Sequence, residues 1–325
     1  MADNGDCHGK CQNPENGDNK PNPSRSAADA KDLRFNDEKI SIEGDGSDAK
    51  QGDPGKDLNE GCPYLAEQLD KEQASREAAN HQARVDLAAA YRALDFYDLS
   101  EGVCNHLTLR APSRVRDEDV MLVIPYGLHW KEVTASRLLG VDFFTGELIE
   151  GEGEMNIAAS SIHRPIHNAR YPVDGVTSVF HTHQPYTTTI ACMKDPEPFK
   201  VAMSQVSMRF LDLIAYDHEY DGFANAATEG ARLAKVLRDK QVLMMAQHGV
   251  LAVGKRACDA FDLLYYLERA ARLQVLLMSS GAEMALAPPS IVKGVAKDEC
   301  YDFNAYVFFE SMKRVLAKEE PCFMN

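Results

Sequence analysis

The chain has 325 residues, 44% of them hydrophobic, and a formal charge of −15 with no dense Lys/Arg block. That length and apolar content allow one large domain or two smaller ones, and the acidity disfavours nucleic acid or an anionic membrane surface, both of which reward basic patches. No apolar stretch approaches the roughly 18–20 residues of a membrane helix and the start, MADNGDCHGK, lacks the apolar run of a signal peptide, so a cytoplasmic protein with no membrane span is expected.

Residues 1–62 are rich in Asn, Asp, Gly, Pro, Ser and Lys, and a net charge of −8 falls within the first 70. Such a segment buries too little apolar surface to offset its ordering entropy, so it is read as a disordered acidic tail. Within it Cys7, His8 and Cys11 form CHGKC, a weak three-ligand metal pattern on a flexible arm. The eight cysteines are scattered without a CxxC pair and read as free thiols.

Folded structure is expected from Pro63. Val85, Leu87, Ala88, Tyr91, Leu94 and Tyr97 share one helical stripe. HLTLR (106–110) and VMLVIPYG (120–127) read as strands, the second stopped by Pro125 and Gly127. SSIHRPIHNAR places His163 and His167 on one face if it is helical, with Pro165 either in the first turn or kinking it. TSVFHTH is a strand and TTTIACM a helix. EGARLAKVLRD is amphipathic, QVLMMAQHG and VLAVG are two strands around a turn, and 257–280 is a long helix with Phe261, Leu264, Leu267, Ala271 and Val275 in register. Strands interleaved with helices give an α/β domain over 63–285, followed by a C-terminal extension, 286–325, with a short helix.

The chemistry concentrates in histidines. His181 and His183, at i and i+2 of a strand, point the same way, so HxH is either a metal clamp or two core imidazoles. His248, at the end of another apolar strand before a glycine that permits close backbone approach, is the candidate third ligand. Three histidines with a free coordination position are the catalytic rather than the structural zinc pattern.

These residues resemble a known family. GVTSVFHTHQPYTTTIACM, AQHGVLAVGKRACDAFDLLYYLERAARLQ and the 105–151 segment are similar to the class II aldolase and adducin head-domain family over about residues 82–280. The resemblance implies a three-layer α/β/α domain with a mainly antiparallel central sheet, often tetrameric. It implies Zn2+, or another divalent metal, on His181, His183 and His248, and carbon–carbon lyase or related carbonyl chemistry through a metal-bound enediolate of a small carbonyl or sugar-like substrate. The family's acidic acid/base residue aligns near Ala159, where there is no carboxylate, so Glu154 (or Glu152) and His163 stand as replacement proton-transfer groups. The family's phosphate-binding Asn aligns with His106; His106, Gly127, Ser160 and Ser161 are the candidate substrate-binding residues, and an unphosphorylated or unusual substrate follows. NIAASSIHRPIHNAR and Tyr216, His218, Tyr220, Asp221 and Gly222 resemble the adducin-like branch. The alternative is therefore a non-catalytic assembly protein associated with the actin cytoskeleton, although the short, weakly basic C-terminus is unlike adducin's tail.

Overall fold

A computed structural model describes residues 63–325 apart from 221, 223–226 and 299. The CHGKC pattern and Asp221 lie outside the described residues. The described residues open on α1 (Pro63–Phe96), whose stripe Val85, Leu87, Ala88, Tyr91 and Leu94 is buried as its spacing requires. The Tyr91 hydroxyl donates to Leu107 O at 2.6 Å and accepts from Leu107 N at 2.8 Å, tying the helix to the sheet.

Eight strands follow: β1 (His106–Pro112), β2 (Asp119–Val123), β3 (Leu139–Val141), β4 (Leu148–Glu150), β5 (Ser178–Thr182), β6 (Ile214–Asp217), β7 (Val242–Met245) and β8 (Gly249–Gly254). They form one sheet in the order β4-β3-β2-β1-β5-β8-β7-β6. All neighbours are antiparallel except β6 and β7. The three-residue strands β3 and β4 are too short to show a period, which is why the sequence does not announce them.

Alternation along the strands sorts the core into two layers. Phe180, Val250, Ala252, Val242 and Met244 join the larger core with α1, α6 (Ala257–Ser279) and α8 (Tyr301–Glu319), while the short α3 (Pro185–Ala191) and α4 (Gln205–Met208) come between β5 and β6 in the chain. Val179, Leu251, Val253, Leu243 and Met245 face the other way, against α2 (Ile157–Asp174) and α5 (Ala227–Leu237). This is the expected α/β/α sandwich on a mainly antiparallel sheet. Residues 286–325, read as an extension with one short helix, hold α7 (Pro289–Ala296) and the nineteen-residue α8. Phe309, Met312, Leu316 and Phe323 complete the larger core.

Pro165 lies in the interior of α2, not its first turn. Proline has no N–H to give the Ser161 carbonyl one turn back. Helix α5 crosses there through Gly230: a Cβ at 230 would fall 1.9 Å from Ser161 O and 2.9 Å from the Pro165 ring. The close α2–α5 approach therefore depends on a bare Cα.

Candidate metal centre and its cavity

His181 is the fourth residue of β5, beside His106 on β1 and Leu251 on β8. Its ring shares the α2 face of the sheet with Val179. His183 follows the strand end. His248 sits in the β7–β8 turn beside Gln247, which holds φ at +52°, a left-handed conformation costly for a side chain that is not glycine. Gly249 lets this turn approach β5, since a Cβ there would stand 2.6 Å from Thr182 O and 2.8 Å from the His183 ring.

Nε2 of His181 lies 3.0 Å from Nε2 of His183, and one nitrogen from each of His181, His183 and His248 falls within 4.8 Å of the others. Among the described residues no fourth imidazole, thiol or carboxylate joins them. The far sides of two rings fix their tautomers. His181 Nδ1 is 2.9 Å from Val250 O, which can only accept. His183 Nδ1 meets the Glu101 carboxylate, another acceptor, in a short contact. Both Nδ1 atoms therefore carry a proton, and Nε2 is the nitrogen that each ring turns toward the other. Three imidazole nitrogens converging in this way are a donor set that fits a divalent ion; backing a ligand histidine with a carbonyl or carboxylate is how proteins orient one. Burial, reinforced by the neighbouring imidazoles, holds the His181 pKa well below its ordinary value. Burial, with His183, lowers that of His248 to about 4. Both rings are neutral and ligand-ready near pH 7.

Behind the triad stands a second imidazole group. His106 Nδ1 is 2.8 Å from His163 Nε2, and Thr108 Oγ1 lies 2.7 Å from His163 Nδ1, 2.9 Å from His167 Nε2 and 3.2 Å from Val179 O. His163 and His167 do share one face of α2, and both are fully buried. Burial is the main cause that holds His106 and His163 well below the usual imidazole range, with neighbouring histidines adding to it, and burial with Arg110 lowers His167 to about 3.

The triad opens on a cavity of about 610 Å3, within the roughly 300–1,000 Å3 usual for small-molecule sites. His106 and Glu154 line it, as do Tyr126, Asn156, Tyr220 and Gln247. The expected proton-transfer role of His163 at the substrate needs correction. The ring is sealed from the cavity and both its nitrogens are engaged, so it reaches substrate only through His106. Ser160 and Ser161 are likewise corrected: neither lines the cavity, and Ser160 Oγ accepts from Arg164 at 3.1 Å. Gly127, at φ +88°, turns the chain just beyond Tyr126 and is not a lining residue. Glu152 is exposed and does not line the cavity either. Ala159 is fully buried in α2. Sequence reasoning missed Glu101 and Gln247; the one signal for Gln247 was its place before His248 in a turn, and Glu101 carried none.

The sequence profile of the Class II Aldolase and Adducin N-terminal domain matches residues 85–275. The chain belongs to this family. It is 34% identical over 222 residues to a Pseudomonas aeruginosa protein described as a candidate class 2 aldolase, covering 68% of this chain and 82% of the relative. It is 30% identical over 201 residues to alpha-adducin of Rattus norvegicus, covering 61% of this chain but 26% of adducin. Among solved structures, an aldolase II superfamily protein from Pseudomonas syringae superposes with a TM-score of 0.69 at 28% identity, over 76% of this chain and 96% of that one. The L-fuculose 1-phosphate aldolase of Glaciozyma antarctica shares the fold, with a TM-score of 0.64 at 24% identity over 75% and 93% of the two chains. No helix among the described residues is long and apolar enough to cross a membrane.

Proposed function

We propose that this protein is a divalent-metal lyase of the class II aldolase type, acting on a small carbonyl compound in the cytoplasm, with zinc on His181, His183 and His248. The observation that carries the reading is the convergence of one nitrogen each from His181, His183 and His248, within 4.8 Å of one another, at a cavity. A bound ion would supply Lewis-acid polarisation of a substrate carbonyl. The chain's own residues do the rest. Val250 O and Glu101 hold the ligand rings in the correct tautomer. His106, neutral at pH 7, faces the cavity with its remaining nitrogen, and His163 fixes its ring from behind. Glu154 is the carboxylate of the lining among the described residues and the second proton-transfer candidate.

The test is elemental analysis of protein purified without an affinity tag, followed by a retro-aldol and decarboxylation screen. Near one ion per chain and turnover of a carbonyl compound support the reading; a metal-free, inactive protein defeats it. Assembly into a homo-oligomer, tetrameric as the family resemblance implies, is part of the same proposal and is read by light scattering. One observation favours a non-catalytic, adducin-like assembly role instead: the buried Ala159 where the family resemblance places an acid. Cosedimentation with actin filaments by a protein inactive in the screen would establish that second reading.

A further inference from the structure

Three large apolar side chains that the fold leaves exposed, Tyr126 at 60%, Ile157 at 66% and Tyr220 at 47%, line the same cavity as the histidines. Scattered singly, such residues need no explanation. Gathered around a concavity with convergent polar groups they have the composition of a small-molecule site. Met155 and Ala158 add to the same apolar lining.

The groups that grip a phosphate are missing from that lining. Among the described residues that form it there is no Lys, Arg, Ser or Thr. Arg164, on α2, does not line the cavity, and its guanidinium donates to the carbonyls of Phe143 and Phe144. The start of α2 borders the cavity and would attract an anion by its free N–H groups. However, Asn156 Oδ1 already accepts the Ala158 N–H at 2.8 Å, and the Glu154 carboxylate two residues earlier repels a second negative charge.

We infer that the site takes an unphosphorylated hydroxycarbonyl compound bearing an uncharged, ring-sized apolar substituent, its oxygens toward the three histidines and the substituent against Tyr126, Met155 and Ile157. The inference rests on the metal-centre reading above and adds the substrate class to it.

The experiment is calorimetric titration of the metal-loaded full chain with acetohydroxamate, benzohydroxamate and phosphoglycolohydroxamate. Each has the same chelating head and differs only in what it carries. Burial of a ring against the apolar lining should make benzohydroxamate bind roughly tenfold or more tighter than acetohydroxamate. The phosphorylated compound should bind no tighter than acetohydroxamate. Ile157→Lys, at an exposed position, should keep its metal, lose much of the preference for the ring and gain affinity for the phosphate. Equal affinities, or the phosphorylated compound binding tightest to the unaltered protein, would overturn the substrate class while leaving the metal centre standing. If none of the three binds the metal-loaded protein, the ion has no open coordination position, and the lyase reading and the inference fall together while the bound metal stands.

Discussion

Two groups of histidines lie on the same face of the same sheet and do opposite things. His163 and His167 meet around the Thr108 hydroxyl, sealed between β1 and α2, where hydrogen bonding is almost complete; only His167 Nδ1 lacks a partner. His181, His183 and His248 each turn one nitrogen toward a common point at a cavity. What separates them is what stands behind each ring. A hydroxyl can donate or accept and closes the first group on itself; a carbonyl and a carboxylate can only accept, and they push the free lone pairs of the second group forward. A histidine's role here is legible from its outer neighbour rather than from its own burial.

The contrast breaks most sharply at the ligands. His181→Ala should take bound metal from near one ion per chain to background, whereas His167→Ala should retain it, both by elemental analysis. Equal retention would erase the distinction between the groups. Next in size, Glu101→Gln keeps a hydrogen-bonding group but removes the charge behind His183. Its metal affinity, by competition with a chelator, should fall about 10–100-fold, the usual effect of losing a carboxylate behind a ligand histidine. His163→Phe should keep the metal and lower kcat by a similar factor, about 10–100-fold, by freeing the His106 ring; an unchanged kcat would remove His163 from the mechanism.

The smallest effect concerns pH. His163 and His167 are held neutral in the fold, so below the ordinary imidazole pKa of about 6.5 the unfolded chain binds protons that the folded one does not. Stability should be fully present above that pH and fall as acid is added, each ring contributing up to about 1.4 kcal/mol per pH unit until its folded pKa is reached, about 3 for His167. In denaturant titrations from pH 7 to 4, His167→Asn should flatten this acid slope by up to one proton. An unchanged slope would show that His167 is already protonated in the fold.

Much of this was readable in the sequence, for a physical reason in each case. The α1 stripe and the α6 register follow from a period of 3.6, and the shared direction of His181 and His183 from a period of 2. Gly249 after His248 announced a close approach that the structure realises against Thr182 O. The position of His163 was not readable: α2 spacing gives its face, but only the packing of α2 on β1 shows that His106 stands between it and the cavity. The Arg84–Glu150 pair, 2.7 Å apart and buried, was equally silent. Although burial alone would raise the Glu150 pKa, hydrogen bonds from Ser113, Arg114 and Arg84 bring it down to about 2. Its β4 strand is too short to have a pattern, and its partner lies on α1, 66 residues away.

The hydrogen bonds that frame the three converging histidines join distant parts of the chain: His181 to Val250 spans 69 residues, and His183 N to Asn105 Oδ1 spans 78. Contacts of that separation must close long loops before they return any energy, so they belong among the late events of folding. A slip of one residue in β5 would also turn His181 to the opposite face of the sheet. Ion capture during refolding would thus mark the arrival of the native strand register, not the earlier collapse of the chain, and a stopped-flow metal signal should trail the recovery of helical circular dichroism.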